Sequence, residues 1–147
     1  MDAATLDRAA TPRTDRTSLP PWLVAELRSD HAGETGAVMI YRGILAASRD
    51  PALRDFAARH KATEQGHLDL LDELLPPADR SRLLPLWRLA GWLTGALPAL
   101  FGPRAVFATI DAVESFVDRH YQAQIDRLDG EGILPEIRAL LERCRLE

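Results

Sequence analysis

Four polar residues interrupt otherwise amphipathic stretches of the sequence at positions that would face the interior of a helical protein. Glu34, Glu64, His67 and Glu114 each lie near the middle of a segment whose apolar residues recur at helical spacing. A carboxylate on an inward helix face is costly to bury alone, and a divalent cation removes much of that cost. The spacing of three places Glu64 and His67 on one helix face. Carboxylate and imidazole donors suit iron or manganese, so the pattern predicts a metal site.

The elements that must position these residues are four predicted helices. Helical periodicity, proline pairs and a glycine-rich turn delimit segments 21–48, 51–75, 103–128 and 134–147. Alanine and leucine far outnumber valine and isoleucine, which favours helix because unbranched side chains lose little rotamer freedom there. We therefore predict an all-α protein with a four-helix bundle as its architecture.

The positions of the acidic residues along these helices agree with one shared site. Glu34 lies nearly as far before the end of its segment at 48 as Glu64 lies after the start of its own at 51, and Glu114 lies equally far before 128. In an antiparallel bundle, these matched spacings place all three at the same height. Ferritin-like di-iron bundles use such a layer, with one Glu from each of two helices and Glu-x-x-His from the other two. The same spacing places a partner in the fourth helix near 147 or 148, where Glu147 is the last residue.

Less specific interpretations of these residues stay open. A lone Glu-x-x-His is common on solvated helix faces. Two glycines flanking Glu34 argue against a surface role there, because each costs about 1 kcal/mol relative to alanine inside a helix, and they indicate close packing or a site. His31 is expected to be a core histidine or a neighbour of the ligands, and His60 is expected to be solvated. The remaining acids are expected to be caps or surface charges, namely Asp30, Asp111 and Asp118.

An apolar insert, residues 83–101, separates the second and third predicted helices. Its sequence, LLPLWRLAGWLTGALPALF, is about as long as a membrane span, but it contains Arg88 and two prolines. An arginine at mid-bilayer costs roughly 2.5–3.5 kcal/mol on insertion scales, which disfavours spanning. We expect a hairpin of two short helices lying at the membrane surface, with Trp87 and Trp92 at interfacial depth and nearby arginines at lipid phosphates. A buried hairpin that caps the bundle or forms a dimer contact is the alternative.

Composition excludes several other classes of protein. The formal net charge of −4 offers no electrostatic footprint for nucleic acid, so no nucleic-acid partner is expected. The single cysteine, Cys144, excludes an internal disulfide framework, and we expect it to serve packing. Residues 1–20 are polar and mixed in charge, so we expect a disordered arm, a domain over 21–147 and no secretory signal.

Several motifs together resemble one family. The stretch DHAGETGAVMIYRG, the Glu-x-x-His element of the next predicted helix, LLPLWRLAGWLTGALPALFG and AVESFVDRHYQAQI resemble the demethoxyubiquinone hydroxylases of ubiquinone biosynthesis. The resemblance covers roughly residues 26–147. It implies a ferritin-like bundle, peripheral on the cytoplasmic face of the inner membrane, that carries two iron ions. It also implies hydroxylation of a polyprenylated methoxy-methylbenzoquinone or quinol with dioxygen.

Carried over residue by residue, the resemblance implies a set of roles. Glu64 and Glu114 become bridging ligands between the irons, and the 83–101 hairpin admits the polyprenyl substrate from the membrane. His120 and Tyr121 match a His-Tyr pair that positions or reduces the quinone and the bound oxygen. A homodimer and a lipid-binding accessory protein are plausible partners. The implied iron ligands are Glu34, Glu64, His67 and Glu114.

The C-terminus departs from the family pattern. Aligned without gaps, the second Glu-x-x-His of the family would begin after Glu147, so we expect a fourth helix that is incomplete and lacks two ligands. Three alternatives to an active hydroxylase follow. They are a truncated product that binds iron poorly, a ferritin-like iron-storage or peroxide-scavenging protein, and a lipid-binding or structural partner.

Overall fold

The computed structural model of the protein describes residues 19–147, and this part of the chain is all-helical, without strands. The expected all-α class is therefore confirmed, and the helices are consistent with a ferritin-like bundle. Residues 1–18 of the predicted N-terminal arm lie outside the described residues. The described elements are α1 (Pro21–Ala47), α2 (Pro51–Leu74), a 3₁₀ turn (Pro77–Asp79), α3 (Leu84–Ala99), α4 (Pro103–Glu131) and α5 (Pro135–Leu146).

Local sequence explains where the helices begin and end. Proline occupies the first turn of all five α-helices, where its missing N–H costs no hydrogen bond. The Asp50 carboxylate caps α2 by accepting from the Leu53 N–H at 3.1 Å. Helix α4 continues past the predicted end at 128. It ends at Glu131 and is capped by Gly132, which adopts the left-handed conformation (φ 63°) and donates its N–H to the Leu128 carbonyl.

The apolar insert forms one helix, α3, rather than the two short helices expected over 83–101. The two prolines do not break it into a hairpin because of where they fall. Pro85 lies in the first turn, where proline is tolerated, and Pro98 lies next to the last residue of the helix. No helix among the described residues is both long and apolar enough to cross a membrane.

Helix α3 packs on α1 through glycines. A Cβ added at Gly91 would lie 2.3 Å from the Gly36 carbonyl oxygen, and one added at Gly95 would lie 1.8 Å from the Ile40 carbonyl oxygen. On the α1 side, a Cβ added at Gly43 would lie 2.1 Å from the Trp92 carbonyl oxygen. We call these contacts the glycine seam. They show that the two backbones touch directly, which only residues without a side chain permit.

Helix α3 and its two ends also expose large apolar side chains, and we call this set the α3 apolar face. Single exposed apolar residues are ordinary, whereas large exposed apolar patches are typical of interaction surfaces. The exposed fractions reach 68% at Leu100 and 83% at Phe101. The residues of this face are Leu83, Leu86, Trp87, Leu89, Trp92, Leu93, Leu97, Leu100 and Phe101.

Two apolar clusters fill the bundle, and a layer of buried polar residues separates them. Along α1, one cluster includes Leu23 and Leu27, and the other includes Ile40 and Ile44. The buried polar residues of this helix lie between the clusters, at Asp30, His31, Glu34 and Thr35. On α2, Glu64 and His67 likewise lie between Ala57 of one cluster and Leu71 of the other. The fold therefore places the predicted site in the middle layer of the bundle.

Candidate metal centre

Three of the four predicted metal ligands converge in this middle layer. Ligand atoms of Glu34 on α1 and of Glu64 and His67 on α2 all lie within 4.8 Å of one another. His67 Nδ1 is 3.2 Å from Glu64 Oε2 and 3.9 Å from Glu34 Oε2. The other ring nitrogen, Nε2, is 3.4 Å from Glu147 Oε2. Two carboxylates and one imidazole thus face a common point between α1 and α2.

Burial and mutual repulsion set the charges in this group. Burial, followed by the Glu64 carboxylate, raises the pKa of Glu34 well above its ordinary value. Burial opposes ionisation of Glu64 too, but its hydrogen bonds with His67 and Glu34 outweigh burial and lower its pKa. Burial disfavours the imidazolium of His67, but Glu64 and Glu147 reverse this and raise its pKa. Without a metal, Glu34 therefore retains a proton more readily than Glu64 does.

Tyr121 holds the Glu34 carboxyl group from α4. Its hydroxyl donates to Glu34 Oε1 at 2.6 Å, and both side chains are buried. Burial, followed by the Glu34 charge, raises the pKa of Tyr121 well above its ordinary value, so the phenol stays protonated and acts as a donor. One oxygen of Glu34 is thereby fixed, while the other, Oε2, faces His67.

Glu114 does not join the three converging ligands in this structure. Its side chain on α4 is exposed, and it lies outside the group whose ligand atoms fall within 4.8 Å. The site still affects it electrostatically, because partial desolvation of its carboxyl group and the charge of Glu64 raise the pKa of Glu114, against the opposing effect of His60. The same carboxylates also act on Tyr41. Burial, together with the charges of Glu64, Glu114 and Glu34, raises the pKa of Tyr41.

His120, for which the family resemblance implies a role with Tyr121 at the quinone, faces α1 one turn away from the metal group. Its Nε2 lies 3.1 Å from Asp30 Oδ1 and 3.4 Å from Glu26 Oε2. The ring is about one-third exposed and stacks on Phe116, with ring centroids 6.2 Å apart. His120 and Tyr121 are thus neighbours in sequence that contact different acids of α1.

The sequence matches the family described as "Ubiquinone biosynthesis protein COQ7" over residues 21–147. The chain belongs to this family. A 3-demethoxyubiquinol 3-hydroxylase of Rhodospirillum rubrum is 42% identical over 126 residues, which cover 82% of this chain and 58% of the relative. An NADPH-dependent 3-demethoxyubiquinone 3-hydroxylase, mitochondrial, of Dictyostelium discoideum is 35% identical over 73% of this chain and 50% of its own length. The human protein of the same name is 35% identical over 71% of this chain and 49% of its own length.

The chain thus spans about half the length of the curated relatives it matches. Membership of the COQ7 family agrees with the resemblance drawn from the sequence motifs. The names of the relatives describe hydroxylases of a ubiquinone precursor, and those of the eukaryotic proteins include a mitochondrial location.

The COQ7-family donor set suits a metal ion on the chemistry of its residues alone. Among residues 19–147, no lysine or arginine forms an ion pair with Glu34 or Glu64, and His67 is the side chain that pairs with both acids. The raised pKa of Glu34 shows how costly its charge is there. A divalent cation would replace the retained proton and accept the carboxylate oxygens, so the residues present fit iron or manganese.

Two histidines outside the donor set have structural partners. His31 is buried, as expected for a core histidine, and its Nε2 lies 2.8 Å from Asp72 Oδ1. Asp72 also pairs with Arg80 at 2.9 Å, which ties α1 and α2 to the segment after α2. His60, expected to be solvated, is instead half-buried and stacks on Phe56, with ring centroids 4.2 Å apart. Spacing from Glu64 alone does not reveal that aromatic neighbour.

Asp30 corrects the expectation of a cap or a surface charge. Its side chain is fully buried between α1 and α4, where Gln124 Nε2 donates to its Oδ1 at 2.8 Å. The signal that could have found it is its position one helical turn before Glu34, which places both acids on one face of α1. Asp111 and Asp118 are exposed as expected, and Asp118 pairs with Arg145 at 2.8 Å. Cys144 is buried, which agrees with a packing role.

Proposed function

We propose that this chain acts as an iron-dependent hydroxylase that adds oxygen from dioxygen to the ring of a demethoxyubiquinol or demethoxyubiquinone. The observation that carries the proposal is the convergence of Glu34, Glu64 and His67 on one buried point. Family membership and the names of the relatives supply the substrate class.

In this proposal, Glu34, Glu64 and His67 hold the metal, and Glu114 approaches it from α4 as a further ligand. When bound, a pair of iron ions supplies the redox chemistry that inserts an oxygen atom from dioxygen into an aromatic ring. Glu34 binds metal only after losing its proton, because the same oxygen cannot serve a proton and a cation. Metal binding is therefore coupled to proton release and strengthens as pH rises.

The surrounding residues orient the ligands and the substrate. Tyr121 fixes one oxygen of Glu34 with its 2.6 Å hydrogen bond, which leaves the other oxygen to bind the metal. His120 is partly exposed beside it and is placed to hydrogen-bond a quinone oxygen. The apolar clusters above and below the polar layer exclude water from the reacting centre.

We further propose that the chain works at a membrane surface. A polyprenylated quinone resides in the bilayer, and the α3 apolar face offers a contiguous apolar surface with two tryptophans and Arg88 beside them. Such a helix lies in the interface without crossing it, with its aromatic rings at headgroup depth. The glycine seam fixes this face directly to α1, the helix that carries Glu34. The proposal thus places the membrane one helix layer from the metal ligands.

The test uses the full chain loaded anaerobically with ferrous iron and supplied with a demethoxyubiquinol of short tail, dioxygen and a chemical reductant. We expect metal analysis to show bound iron and chromatography to show the hydroxylated quinol. Glu34→Gln should lose iron and product, whereas Glu136→Gln, at an exposed position in the first turn of α5, should retain both. Iron uptake with peroxide consumption but no hydroxylated product would instead support a storage or scavenging role.

A stability measurement separates loss of metal from loss of fold. Burial raises the pKa of Glu34 in the folded state, so protonated Glu34 stabilises the fold to its full extent below the ordinary pKa of a glutamate. This stabilisation is lost as pH rises through the raised pKa. Glutamine does not titrate and can still accept the Tyr121 hydrogen bond. Metal-free Glu34→Gln should therefore be at least as stable as wild type at neutral pH, and marked unfolding would mean that its iron loss says nothing about ligation.

A further inference from the structure

The contact between His120 and α1 is built from two carboxylates. Asp30 Oδ1 and Glu26 Oε2 lie 3.1 and 3.4 Å from His120 Nε2. The Nε2 nitrogen is itself buried and does not point squarely at either oxygen, so the contact is an ion pair shared between two acids. No third charged group is placed against this ring within residues 19–147, and its other neighbours are the rings of Phe116 and Tyr121.

Asp30 has no cationic partner other than His120 within the described residues. Its side chain is fully buried, whereas the Glu26 side chain is 38% exposed and solvated. Gln124 donates to Asp30 Oδ1, but Asp30 Oδ2 and Gln124 Oε1 are buried without hydrogen-bond partners. A buried carboxylate is costly without a counter-charge, so this arrangement is most stable when the imidazole of His120 is positively charged.

The register of α4 on α1 connects this ion pair to the metal group. His120 contacts Asp30, and the next residue, Tyr121, donates to Glu34 one turn further along α1. Two consecutive residues of α4 are thus fixed to two successive turns of α1. Because Nε2 of His120 faces the acids, Nδ1 is the ring nitrogen that has no carboxylate partner among residues 19–147.

We propose that Asp30 is a positioning residue: its buried carboxylate, supported by Gln124, holds His120 by Nε2 and keeps the ring protonated, so that Nδ1–H is presented to a substrate oxygen. The role of Nδ1 toward the quinol or quinone rests on the proposed function, whereas the pairing of Asp30 with His120 does not. Without Asp30, the ring loses both its fixed orientation and the counter-charge that stabilises the imidazolium.

The electrostatics of the pair agree with this proposal. The contact with Asp30 is the largest influence on His120 and raises its pKa against the opposing effect of burial, with Glu26 adding to the rise. Burial raises the pKa of Asp30, and His120 and Gln124 oppose that rise. The imidazolium form therefore persists to a higher pH than for an ordinary histidine and is lost as pH rises through the raised value.

The test is a histidine titration by NMR on the full chain with ¹³C-labelled imidazoles, metal-free and again with zinc, with the His120 signal assigned by a His120→Gln variant. In wild type, we expect the His120 midpoint to lie above that of an ordinary histidine. In Asp30→Asn, it should fall toward the ordinary value. The control is Asp126→Asn, which replaces an exposed acid on α4, the helix that carries His120. Asp126 accepts a hydrogen bond from Gln122, and its replacement should leave the His120 midpoint unchanged. Glu26→Gln should give a smaller fall.

The outcomes separate this proposal from the proposed function, because the titration needs neither iron nor substrate. A wild-type midpoint at or below the ordinary value overturns the proposal without any variant, and so does an unchanged midpoint in folded Asp30→Asn. If Asp30→Asn does not fold, the wild-type midpoint decides. Where hydroxylation is measured, the high-pH limb of its kcat/KM profile should move to lower pH in Asp30→Asn and stay in place in Asp126→Asn.

Discussion

Replacing Gly95 by alanine should destabilise the fold, even though alanine is the better helix former. The added methyl group would lie 1.8 Å from the Ile40 carbonyl oxygen, whereas ordinary contact begins at 3.4 Å, so α3 must move off α1 by up to about 1.6 Å. Overpacking of this kind costs roughly 3 kcal/mol at the upper end of its usual range. Helix propensity returns about 1 kcal/mol. The net loss should be about 2 kcal/mol in the free energy of unfolding.

Gly66 provides a matched control with the opposite expected sign. It lies inside α2, is exposed, and has nothing within 4 Å of an added Cβ. Gly66→Ala should therefore stabilise the protein by up to about 1 kcal/mol, since only helix propensity and chain entropy change. The same chemical change is thus expected to act in opposite directions at two positions.

The assay is thermal and urea unfolding of the metal-free chain, followed by far-ultraviolet circular dichroism. For a domain of this size, 1 kcal/mol corresponds to roughly 2–4 °C in Tm. We expect Gly95→Ala to unfold about 4–8 °C below wild type and Gly66→Ala to unfold about 2–4 °C above it. If both variants are stabilised, the backbones of α1 and α3 do not touch, and the reasoning from the glycine seam is wrong.

Two further predictions follow from other contacts. Tyr121→Phe removes a 2.6 Å hydrogen bond to a buried carboxyl group and should lower the free energy of unfolding in urea by about 1.5–3 kcal/mol. Tyr41→Phe should lower it by less than about 1 kcal/mol, because no hydrogen bond from the Tyr41 hydroxyl occurs in the described part of the chain. Equal losses would contradict the role given to the Tyr121 hydroxyl. The double variant Leu86→Ser/Leu89→Ser should bind phosphatidylglycerol vesicles at least tenfold more weakly than wild type in a sedimentation assay, because it loses two exposed leucines of the α3 apolar face. Leu146→Ser on α5 should bind like wild type. Equal binding by wild type and both variants would contradict a membrane role for this face.

Helices α1 and α2, and the convergence of Glu34, Glu64 and His67, could be predicted from the sequence because their signals are local. Proline at the first turn and apolar periodicity delimit α1 and α2 to within one residue at each end. Counting residues from those ends placed Glu34 and Glu64 at one height, and the structure brings their ligand atoms together. Such counting works because the rise per residue of a helix is constant.

The features that sequence reasoning missed depend on contacts between helices. The two prolines of the insert suggested a break, but their positions at the ends of α3 permit one continuous helix. Asp30 looked like a surface charge because its partners, His120 and Gln124, lie far along the chain on α4. Helix heights also do not determine rotation about the helix axis. Glu114 can therefore lie on α4 as expected and still be exposed, outside the group of Glu34, Glu64 and His67.

The glycine seam also determines how a disturbance at the outer face of α3 reaches the interior. Where side chains separate two helices, rotamer changes can absorb small displacements before they reach the neighbouring backbone. Along this seam, peptide groups of α3 meet peptide groups of α1 with no intervening side chain at Gly91, Gly95 and Gly43. A displacement of α3, whether by a bound lipid or by an enlarged residue, is therefore passed to α1 as a rigid shift. Glu34 lies close to Gly36 on α1, so the same shift alters its distance to His67.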